Sequence, residues 1–552
     1  MYSSVFFNAY PSSWLFARLT ILFKKGDRLS CNNYRGINVI NSIAKIYDYV
    51  IYNRLSKWWQ PDREQAGAQP ARGCTEHLVT LRLLIDFCKN RRKKLFIAFI
   101  DFSKAYDRVP RKLLINVLKK LGCGLIMITA LISMYTVTHS ILGVAVISAV
   151  VGVRQGSPTS GFLFIVYVNV MIRNIKTKSG PDSFLEWLHV LMLMDDTVIF
   201  ASTRERLIEK LNILDEYCDS HDMLMNEDKT RFMVINGNTE DTQSIKLSKI
   251  VMKLCDKYVY LGSIYTACGS AAASLRAHVV DKKKHLNKLL IFLSVNKDMP
   301  FALKRKVVEA AFNSAILYGS ESWLNTNLRP MEVMYMTAVR ALLGVRQSVP
   351  ANICLVEAGM LPLIAVVKKK QQSFLMNMIE KRSDMTDDPL MFALSLTANK
   401  NTKMQTYIDS IMNTFSEEEV RANMLETMTN SEKTRFKTYC SINPEMSMHP
   451  VYDIKPVKNF IPEHYRLAFT RMRTSSHRLR VETGRWSRLP RDQRLCKCGK
   501  AVGDERHAMT ECELTDQLRS TYSSTIIFPE CLLYASTVND FKFIHDVLNV
   551  VE

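Results

Sequence analysis

The sequence predicts an α+β fold with several domains, and three features support this prediction. The apolar run Leu95–Ile100 has the length and composition of a buried strand. Residues 188–202 hold two apolar, β-branched runs around an adjacent pair of aspartates, a pattern typical of a β-hairpin. Beyond about residue 270, apolar residues recur every three or four positions, for example in 282–292 and 302–317, which indicates helices. A chain of 552 residues is too long for one core, so we expect three or four domains.

The composition indicates an intracellular protein with a polyanionic partner. The formal net charge is +21 and the pI is about 9.3, which favours nucleic acid first and an anionic membrane second. The 13 cysteines show no dense, even spacing and are interpreted mainly as reduced thiols. No signal peptide is predicted, because Arg18, Lys24 and Lys25 follow the first apolar stretch instead of preceding it.

Three aspartates are predicted to converge. Asp101 directly follows the predicted strand, and Asp195 and Asp196 occupy the tip of the predicted hairpin. Three carboxylates at one edge of a sheet would suit Mg²⁺, which prefers oxygen ligands and often binds carboxylates together with substrate phosphates. Two such ions would stabilise the attacking and leaving oxygens of a phosphoryl transfer. Taken alone, the pair at 195–196 is better explained as an ordinary Asp-rich hairpin turn.

A glycine-rich loop lies between these two acidic segments. Residues 152–160 read Gly-Val-Arg-Gln-Gly-Ser-Pro-Thr-Ser and precede a strongly apolar run. Ser157 and Pro158 are predicted as the N-cap and first residue of a helix. The glycines would allow the backbone to approach a nucleotide closely. The loop alone is a weak signal, but the order of strand, acid, loop, helix and acidic hairpin is a strong one.

These segments resemble the palm motifs of reverse transcriptases, and most closely those of non-LTR (LINE-type) retrotransposons. The resemblance extends from about residue 10 to about residue 345 and recurs weakly near the C-terminus. It rests on the palm segments FIDFSKAYDRVP, GVRQGSPTS and MDD, on two segments similar to fingers motifs (23–55 and 64–77), and on 225–233, the turn at 260–262 and 314–323.

The resemblance implies a right-hand polymerase, in which an RNA-directed DNA polymerase extends a primer 3′-OH with dNTPs. It divides the chain into fingers (1–98), a palm with an antiparallel sheet (99–268), a helical thumb (269–383), a connector (384–475) and a basic C-terminal helical module with a zinc knuckle (476–552). The implied partners are an RNA template, a DNA primer and dNTPs, in a nuclear or cytoplasmic ribonucleoprotein. We expect no membrane partner.

The resemblance also assigns catalytic roles. Asp101 and Asp195 would be the ligands shared by two Mg²⁺ ions, with Asp196 in support. Lys229 would donate a proton to the departing pyrophosphate, although lysines on such faces are usually only solvated. Tyr106 would block a ribose 2′-OH and so select deoxynucleotides; its alternative role is plain core packing.

Further residues are assigned to substrate binding. Gln155 and Gly156 would lie against the template–primer and the nascent base pair. In the fingers, the family pattern Gly-Phe-Arg-Pro-Gly-Arg is replaced at 67–72 by Gly-Ala-Gln-Pro-Ala-Arg, so Gln69 replaces one basic residue and Arg72 is left as the candidate phosphate contact. Lys24, Lys25, Arg28 and Arg35 add positive charge to the fingers. The resemblance implies that this region helps to hold the template and the incoming triphosphate, and a solvated basic face is the alternative interpretation of these four residues.

Two alternatives to an active reverse transcriptase remain open. The altered residues 68–73, together with Leu193 where the family has an aromatic residue, are compatible with a non-catalytic, nucleic-acid-binding relic of a retroelement. A viral RNA-dependent RNA polymerase shares the same palm logic, but Tyr106 argues against it. Since no nuclease pattern is recognised in the sequence, we expect the endonuclease activity to come from a missing domain of a longer element or from another protein.

Residues 124–153 contain no Asp, Glu, Lys or Arg and are long enough to span a bilayer. Interrupting hydroxyl residues and Gly143 argue instead for buried core. The resemblance implies a palm helix followed by a strand pair before the loop at Gly152. A spanning segment here would also separate Asp101 from Asp195.

Four residues near the end predict a zinc site. The spacing of Cys496, Cys498, His507 and Cys512 suits one Zn²⁺ bound tetrahedrally by three thiolates and an imidazole. Cys-x-Cys is tighter than the usual spacing, and unlinked thiols are the alternative. The neighbouring basic residues that would suit a nucleic-acid backbone are Arg478, Arg480, Arg485, Arg488, Arg491 and Arg494.

Overall fold

The computed structural model describes residues 10–24, 26–398, 402–443, 461–522, 528–533, 535 and 537–552. The chain forms two compact units. The first unit comprises Met1–Ala273 and Met378–Thr402, and the second comprises Ser274–Asn377 and Lys403–Glu552. The predicted connector is therefore shared between the two units, and the finer division into five domains stays a prediction.

All described strands lie in the first unit. They are β1 (Phe16–Phe23), β2 (Tyr34–Ile40), β3 (Leu95–Ile100), β4 (Thr138–Leu142), β5 (Ala145–Ala149), β6 (Val190–Leu193), β7 (Asp196–Ala201), β8 (Arg231–Ile235), β9 (Ile245–Lys246), β10 (Val251–Leu254), β11 (Lys257–Tyr260) and β12 (Ser263–Thr266).

The strands form three sheets. A six-stranded sheet has the order β6-β7-β3-β8-β10-β9, a four-stranded sheet has the order β2-β1-β4-β5, and β11 pairs with β12 alone. In the large sheet, β3 is antiparallel to both β7 and β8, so this central strand is hydrogen-bonded on both sides. All six residues of β3 are buried, as its continuous apolar sequence predicts.

The helices account for most of the rest of the chain. In the first part they are α1 (Ser42–Trp58), α2 (Cys74–Arg91), α3 (Ala105–Arg108), α4 (Arg111–Lys120), α5 (Leu125–Tyr135), α6 (Pro158–Ser179) and α7 (Arg204–Ser220). They continue with α8 (Ala271–Val295), α9 (Phe301–Val307), α10 (Ser314–Ile316), α11 (Arg329–Leu343), α12 (Ala351–Ala358), α13 (Leu363–Arg382), α14 (Pro389–Ala398) and α15 (Lys403–Asn413). The last are α16 (Glu417–Thr429), α17 (Thr434–Ile442), α18 (Glu463–Arg473), α19 (Arg480–Trp486), α20 (Asp516–Tyr522), α21 (Glu530–Leu533) and α22 (Val538–Val551).

The core of the first unit holds the large sheet in a fixed position. Side chains of α6 and α7, such as Phe164 and Leu211, pack against Phe96 and Ala98 of β3. On the opposite side of β3, Phe99 stacks on Tyr258 with ring centroids 4.1 Å apart. Helix α14 packs along α2, which joins a late segment of the chain to the first unit. Because β3 is covered on both faces, the residue that follows it has a well-defined position.

The second unit is helical in its described part, as the spacing of apolar residues predicts. The predicted helix at 282–292 extends over Ala271–Val295. The predicted helix at 302–317 is not continuous: α9 ends at Val307, Val308–Asn313 is a π-helical segment, and α10 follows. Periodicity does not reveal such a change of helix type, because the apolar spacing continues through it.

The uncharged segment 124–153 forms α5 and the antiparallel pair β4–β5, as predicted. The expectation of buried core is met only by α5, where Leu131 and Met134 are buried. Strand β5 is exposed along most of its length, so that part of the expectation is wrong. Within the described residues no single helix has the length and apolarity to cross a membrane, while the bent pair α12 and α13 meets those criteria only jointly.

Candidate active site and metal cluster

Strand β3 and the β6–β7 hairpin bring the three predicted aspartates to one edge of the large sheet. Ile100, the last residue of β3, is paired with Thr197 of β7. The next residue in each direction is Asp101 on one strand and Asp196 on the other, so these two are neighbours across the antiparallel pair. Asp195 lies in the two-residue turn between Leu193 and Asp196, which are paired with each other.

The three carboxylates influence each other electrostatically. Burial raises the pKa of Asp195, and the charge of Asp101 raises it further. Burial also raises the pKa of Asp196 to about 6, with additional repulsion from Asp195 and Asp101. Asp196 itself is exposed. Carboxylates whose pKa is raised by burial and by neighbouring negative charges are stabilised in their ionised form by a nearby cation.

Lys229 is the ammonium group at this edge. Its Nζ donates to Asp101 Oδ2 over 3.1 Å and to Oδ1 over 3.3 Å. The backbone of Asp101 is held separately, since its carbonyl accepts from the Asn226 amide at 2.8 Å and its amide donates to Thr230 Oγ1 at 3.3 Å. The position of Asp101 is therefore fixed by backbone contacts, while its carboxylate is available to exchange Lys229 for another cation.

Tyr106 lies on the short helix α3, beside these acids. Its ring stacks on Phe164 with centroids 4.4 Å apart and an interplanar angle of 14°. Burial raises the pKa of Tyr106, and the charge of Asp195 raises it further. The ring packs against the core of the first unit, and its role towards a ribose stays a prediction.

The loop at 152–160 opens α6 as predicted, with Ser157 at the N-cap and Pro158 in the first turn. The Ser157 side chain does not cap the helix, and its Oγ donates to Asp48 instead. The side-chain amide of Gln155 donates through Nε2 to Asp107 Oδ1 at 3.1 Å. Gly156 has φ +120°, and a Cβ on it would lie 2.3 Å from the Asn38 carbonyl oxygen. Its close approach is therefore to strand β2.

Arg72 is held in a buried ionic cluster. Its Nε and Nη2 donate to Glu76 Oε2 at 3.1 and 3.0 Å, while its buried Nη1 has no hydrogen-bond partner among the described residues. Glu76 also accepts from Arg382. Burial raises the pKa of Glu76, but the hydrogen bond from Arg382 and the charges of both arginines hold it below its usual value.

Three residues that support the candidate site residues were not singled out from the sequence. Gln65 bonds to the backbone of the hairpin turn, Arg382 bonds to Glu76, and Arg35 acts electrostatically on both Asp195 and Tyr106. Arg35 was noted only as one of four basic fingers residues, and of these Lys25 lies outside the described residues. No local pattern marks Gln65 or Arg382, because their partners are distant in sequence.

The four predicted zinc ligands come together near the C-terminus. Cys496 Sγ lies 3.7 Å from Cys512 Sγ, Cys498 Sγ lies 3.2 Å from His507 Nε2, and the four ligand atoms are all within 4.8 Å of one another. Tetrahedral zinc–sulfur bonds of about 2.3 Å give sulfur atoms a little under about 4 Å apart, so the donor set and its size fit Zn²⁺. Among the residues that the structure describes, no other group of three or more potential ligands is so compact, including the three aspartates.

The surroundings of this cluster shift the pKa values of two of its cysteines in opposite directions. A backbone hydrogen bond from Lys500, together with one from the His507 side chain, lowers the pKa of Cys498 to about 6. Burial raises the pKa of Cys512 to about 11, and the neighbouring Cys496 raises it too. Two thiolates this close repel each other unless a cation lies between them.

The basic residues around the cluster differ in their contacts. Arg485 pairs with Glu482 at 2.8 Å, Arg491 pairs with Asp504 at 2.9 Å, and Arg494 donates to the carbonyls of Val481 and Leu489. These three arginines have structural partners. Arg478, Arg480 and Arg488 are exposed.

Comparison with known proteins identifies a matching sequence family and several similar proteins. The sequence model of the family described as "Reverse transcriptase (RNA-dependent DNA polymerase)" matches residues 23–265. A retrovirus-related Pol polyprotein from the type-1 retrotransposable element R2 of Nasonia vitripennis is 23% identical over 275 residues, which are 47% of this chain and 27% of the relative. The R2 polyprotein of Bradysia coprophila is 23% identical over 331 residues, covering 57% of this chain and 37% of the relative. The chain thus spans about a third of the length of these relatives.

A solved structure is also similar. Telomerase from Candida albicans, in complex with a fragment of telomeric RNA, is 13% identical with a TM-score of 0.35, and the match covers 74% of this chain and 66% of the telomerase.

Proposed function

Since residues 23–265 of this chain form a reverse transcriptase domain related to those of non-LTR retrotransposons, we propose that the chain extends a primer 3′-OH with dNTPs on an RNA template. The observation that carries the proposal is the convergence of Asp101, Asp195 and Asp196 at one edge of the large sheet. This edge combines three carboxylates, a raised pKa at two of them and a single exposed ammonium group in contact with Asp101.

Asp101 and Asp195 would hold two Mg²⁺ ions, with Asp196 in support. The donor set suits Mg²⁺, because three hard oxygen ligands and excess negative charge lie at one edge of the large sheet. When bound, the ions supply positive charge that activates the 3′-OH and stabilises the transferring phosphoryl group. Lys229 would leave Asp101 and donate a proton to the departing pyrophosphate.

Tyr106, Gln155, Gly156 and Arg72 would determine how the nucleotide and the primer are bound. The Tyr106 ring is supported from behind by Phe164, so a ribose 2′-OH meeting it would have no space to move into. Gln155, held by Asp107, and Gly156 would face the nascent base pair. Arg72 Nη1 is a buried donor without a partner, and a triphosphate oxygen would satisfy it.

The C-terminal cluster would bind one Zn²⁺ and stabilise a module that contacts nucleic acid. Arg478, Arg480 and Arg488 are the exposed basic residues that would approach the phosphate backbone. In the full element, priming from nicked DNA would require an endonuclease activity supplied by another domain or another protein.

The experiment is dNTP incorporation by the purified chain on poly(rA)/oligo(dT) with Mg²⁺. Incorporation by wild type, with a loss on the order of 100-fold to 1000-fold in Asp101→Asn and Asp195→Asn, is expected. Asp219→Asn is the matched control, because that aspartate pairs with Lys249 at the surface, outside the candidate site. Nucleic-acid binding without incorporation would favour the catalytically degenerate relic. The departures from the family pattern at Leu193 and Gln69 are compatible with that alternative. A preference for rNTPs would favour an RNA-dependent RNA polymerase.

A further inference from the structure

The side chain of Gln65 connects the fingers segment to the turn that carries Asp195. Gln65 is fully buried. Its Nε2 donates to the Met194 carbonyl oxygen at 3.3 Å, and its Oε1 accepts from the Met194 amide at 3.0 Å and from the Gly67 amide at 2.7 Å. One side-chain amide thus bonds to both backbone polar groups of Met194, the residue directly before Asp195.

Met194 needs such support because of its backbone conformation. It has φ +61° and is the first central residue of the two-residue turn between Leu193 and Asp196. A positive φ at this position fits a type II′ turn, in which glycine is the preferred residue. A residue with a side chain persists there only when its surroundings stabilise the strained conformation.

The backbone around Gln65 follows the hairpin closely. The Met192 amide donates to the Glu64 carbonyl at 2.9 Å, and the Ala66 amide donates to the Met192 carbonyl at 2.9 Å. Residues 64–66 thereby extend the sheet by a short parallel bridge to β6. A Cβ on Gly67 would lie 2.3 Å from Met194 Sδ and 2.6 Å from the Met194 amide nitrogen, so only glycine permits this approach.

We propose that Gln65 is a positioning residue that fixes the orientation of Asp195 and Asp196 through the backbone of Met194. The inference rests on the proposed function, for which it explains how an acidic turn without glycine keeps one conformation. Because Gln65 is fully buried, we expect it to make no direct contact with a nucleotide or a cation. It acts through two peptide groups, which set the direction of the carboxylates that follow them in the chain.

The first test measures the turn itself. Hydrogen–deuterium exchange is followed by mass spectrometry in Gln65→Met, which keeps the side-chain length but removes the amide. Exchange in the peptide 188–201 is expected to be on the order of tenfold faster than in wild type, because the turn loses two hydrogen bonds. Exchange in β3 should be unchanged. Gln60→Met is the matched control: Gln60 is exposed and donates only within its own segment, to the Ser56 carbonyl.

The second test measures the consequence for catalysis. Gln65→Met is expected to lower kcat and to raise the Mg²⁺ concentration for half-maximal incorporation about tenfold, with unchanged affinity for the template–primer. Gln65→Glu keeps the two accepted hydrogen bonds and should show a smaller increase in exchange. Gly67→Ala disturbs the same contact from the backbone side, so it provides the decisive data if Gln65→Met does not fold.

Unchanged exchange in the hairpin would overturn the inference, and so would faster exchange throughout the first unit, which would make Gln65 a general core residue. Normal kcat and Mg²⁺ dependence in an active Gln65→Met enzyme would overturn it as well. A wild type that incorporates no dNTP, with faster hairpin exchange in Gln65→Met, would refute the proposed polymerase activity and leave the role of Gln65 in the turn intact.

Discussion

Arg382 forms a buried, two-pronged ion pair with Glu76 inside the first unit: its Nη1 lies 2.7 Å from Oε2 and its Nη2 lies 3.1 Å from Oε1. The same guanidinium group lies 3.3 Å from the buried carboxylate of Asp388. Arg382 is the last residue of α13, and it adds positive charge beside the buried pair that Arg72 forms with Glu76.

Replacing Arg382 by Met is expected to destabilise the first unit. The change leaves the Asp388 charge uncompensated, and breaking a buried pair in this way costs about 3 kcal/mol or more in the free energy of unfolding. Lys178→Met is the control, since Lys178 pairs with Glu216 at the surface and its loss should cost less than about 1 kcal/mol. Urea denaturation followed by circular dichroism measures both values. Equal losses in the two variants would show that the Arg382 cluster is not stabilising.

Asp196 is expected to make the stability depend on pH in the absence of Mg²⁺. Its pKa is about 6 in the folded protein against an ordinary value of 3.8, so the folded state binds this proton more tightly than the unfolded chain does. The free energy of unfolding should therefore decrease through this group as the pH rises from 3.8 to about 6, and stay lower above that range. Added Mg²⁺ at pH 7 should restore stability, because the ion binds the folded site.

Asp196→Asn provides the measurement. In EDTA, the Tm of this variant should exceed that of wild type at pH 7, and the difference should disappear near pH 4. Added Mg²⁺ should raise the Tm of wild type more than that of the variant. A difference in Tm that does not change with pH would contradict the raised pKa.

Tyr106→Ala is expected to weaken the discrimination between dNTPs and rNTPs. Removing the ring opens space where the ribose 2′-OH would otherwise collide, and steric selection of this kind is worth roughly 10- to 100-fold in kcat/KM. Tyr106→Phe is the control, because it keeps the ring and its stacking on Phe164. Single-nucleotide incorporation with dTTP and UTP measures the ratio for each variant. Unchanged selectivity in Tyr106→Ala would limit Tyr106 to core packing.

Sequence patterns predicted the local parts of the candidate site well. The run Leu95–Ile100 is a buried strand with the predicted bounds, and the helix after the glycine-rich loop begins at Pro158. Both signals are local, since a continuous apolar run and a Ser-Pro pair act over a few neighbouring residues. The common position of Asp101 and the hairpin at one sheet edge also followed, because Asp101 comes directly after β3 and the other two acids lie at the turn between β6 and β7 of the same sheet.

The supporting contacts could not be predicted in the same way. Gln65 and its partner Met194 are 129 positions apart, and Glu76 and Arg382 are 306 positions apart. Hydrogen bonds of this kind depend on the tertiary arrangement and leave no periodic trace in the sequence. The exposure of β5 was missed for a related reason: its apolar residues predict a strand but do not reveal whether another element covers it.

Zinc removal is expected to unfold the C-terminal module selectively. The cluster lies in the core that also contains Phe469 and Phe541, and Cys496 and Cys512 are part of that core. Without the metal, two or more close thiolates would repel each other, so binding of Zn²⁺ contributes directly to folding.

Purified protein should contain one zinc per chain by atomic emission, and Cys498→Ser should contain less than half as much. Cys531→Ser is the matched control, because Cys531 packs against the same core but lies outside the ligand set. Chelation should increase proteolysis after about residue 476 in wild type while leaving the first unit resistant. Full zinc content in Cys498→Ser would exclude this cysteine as a ligand.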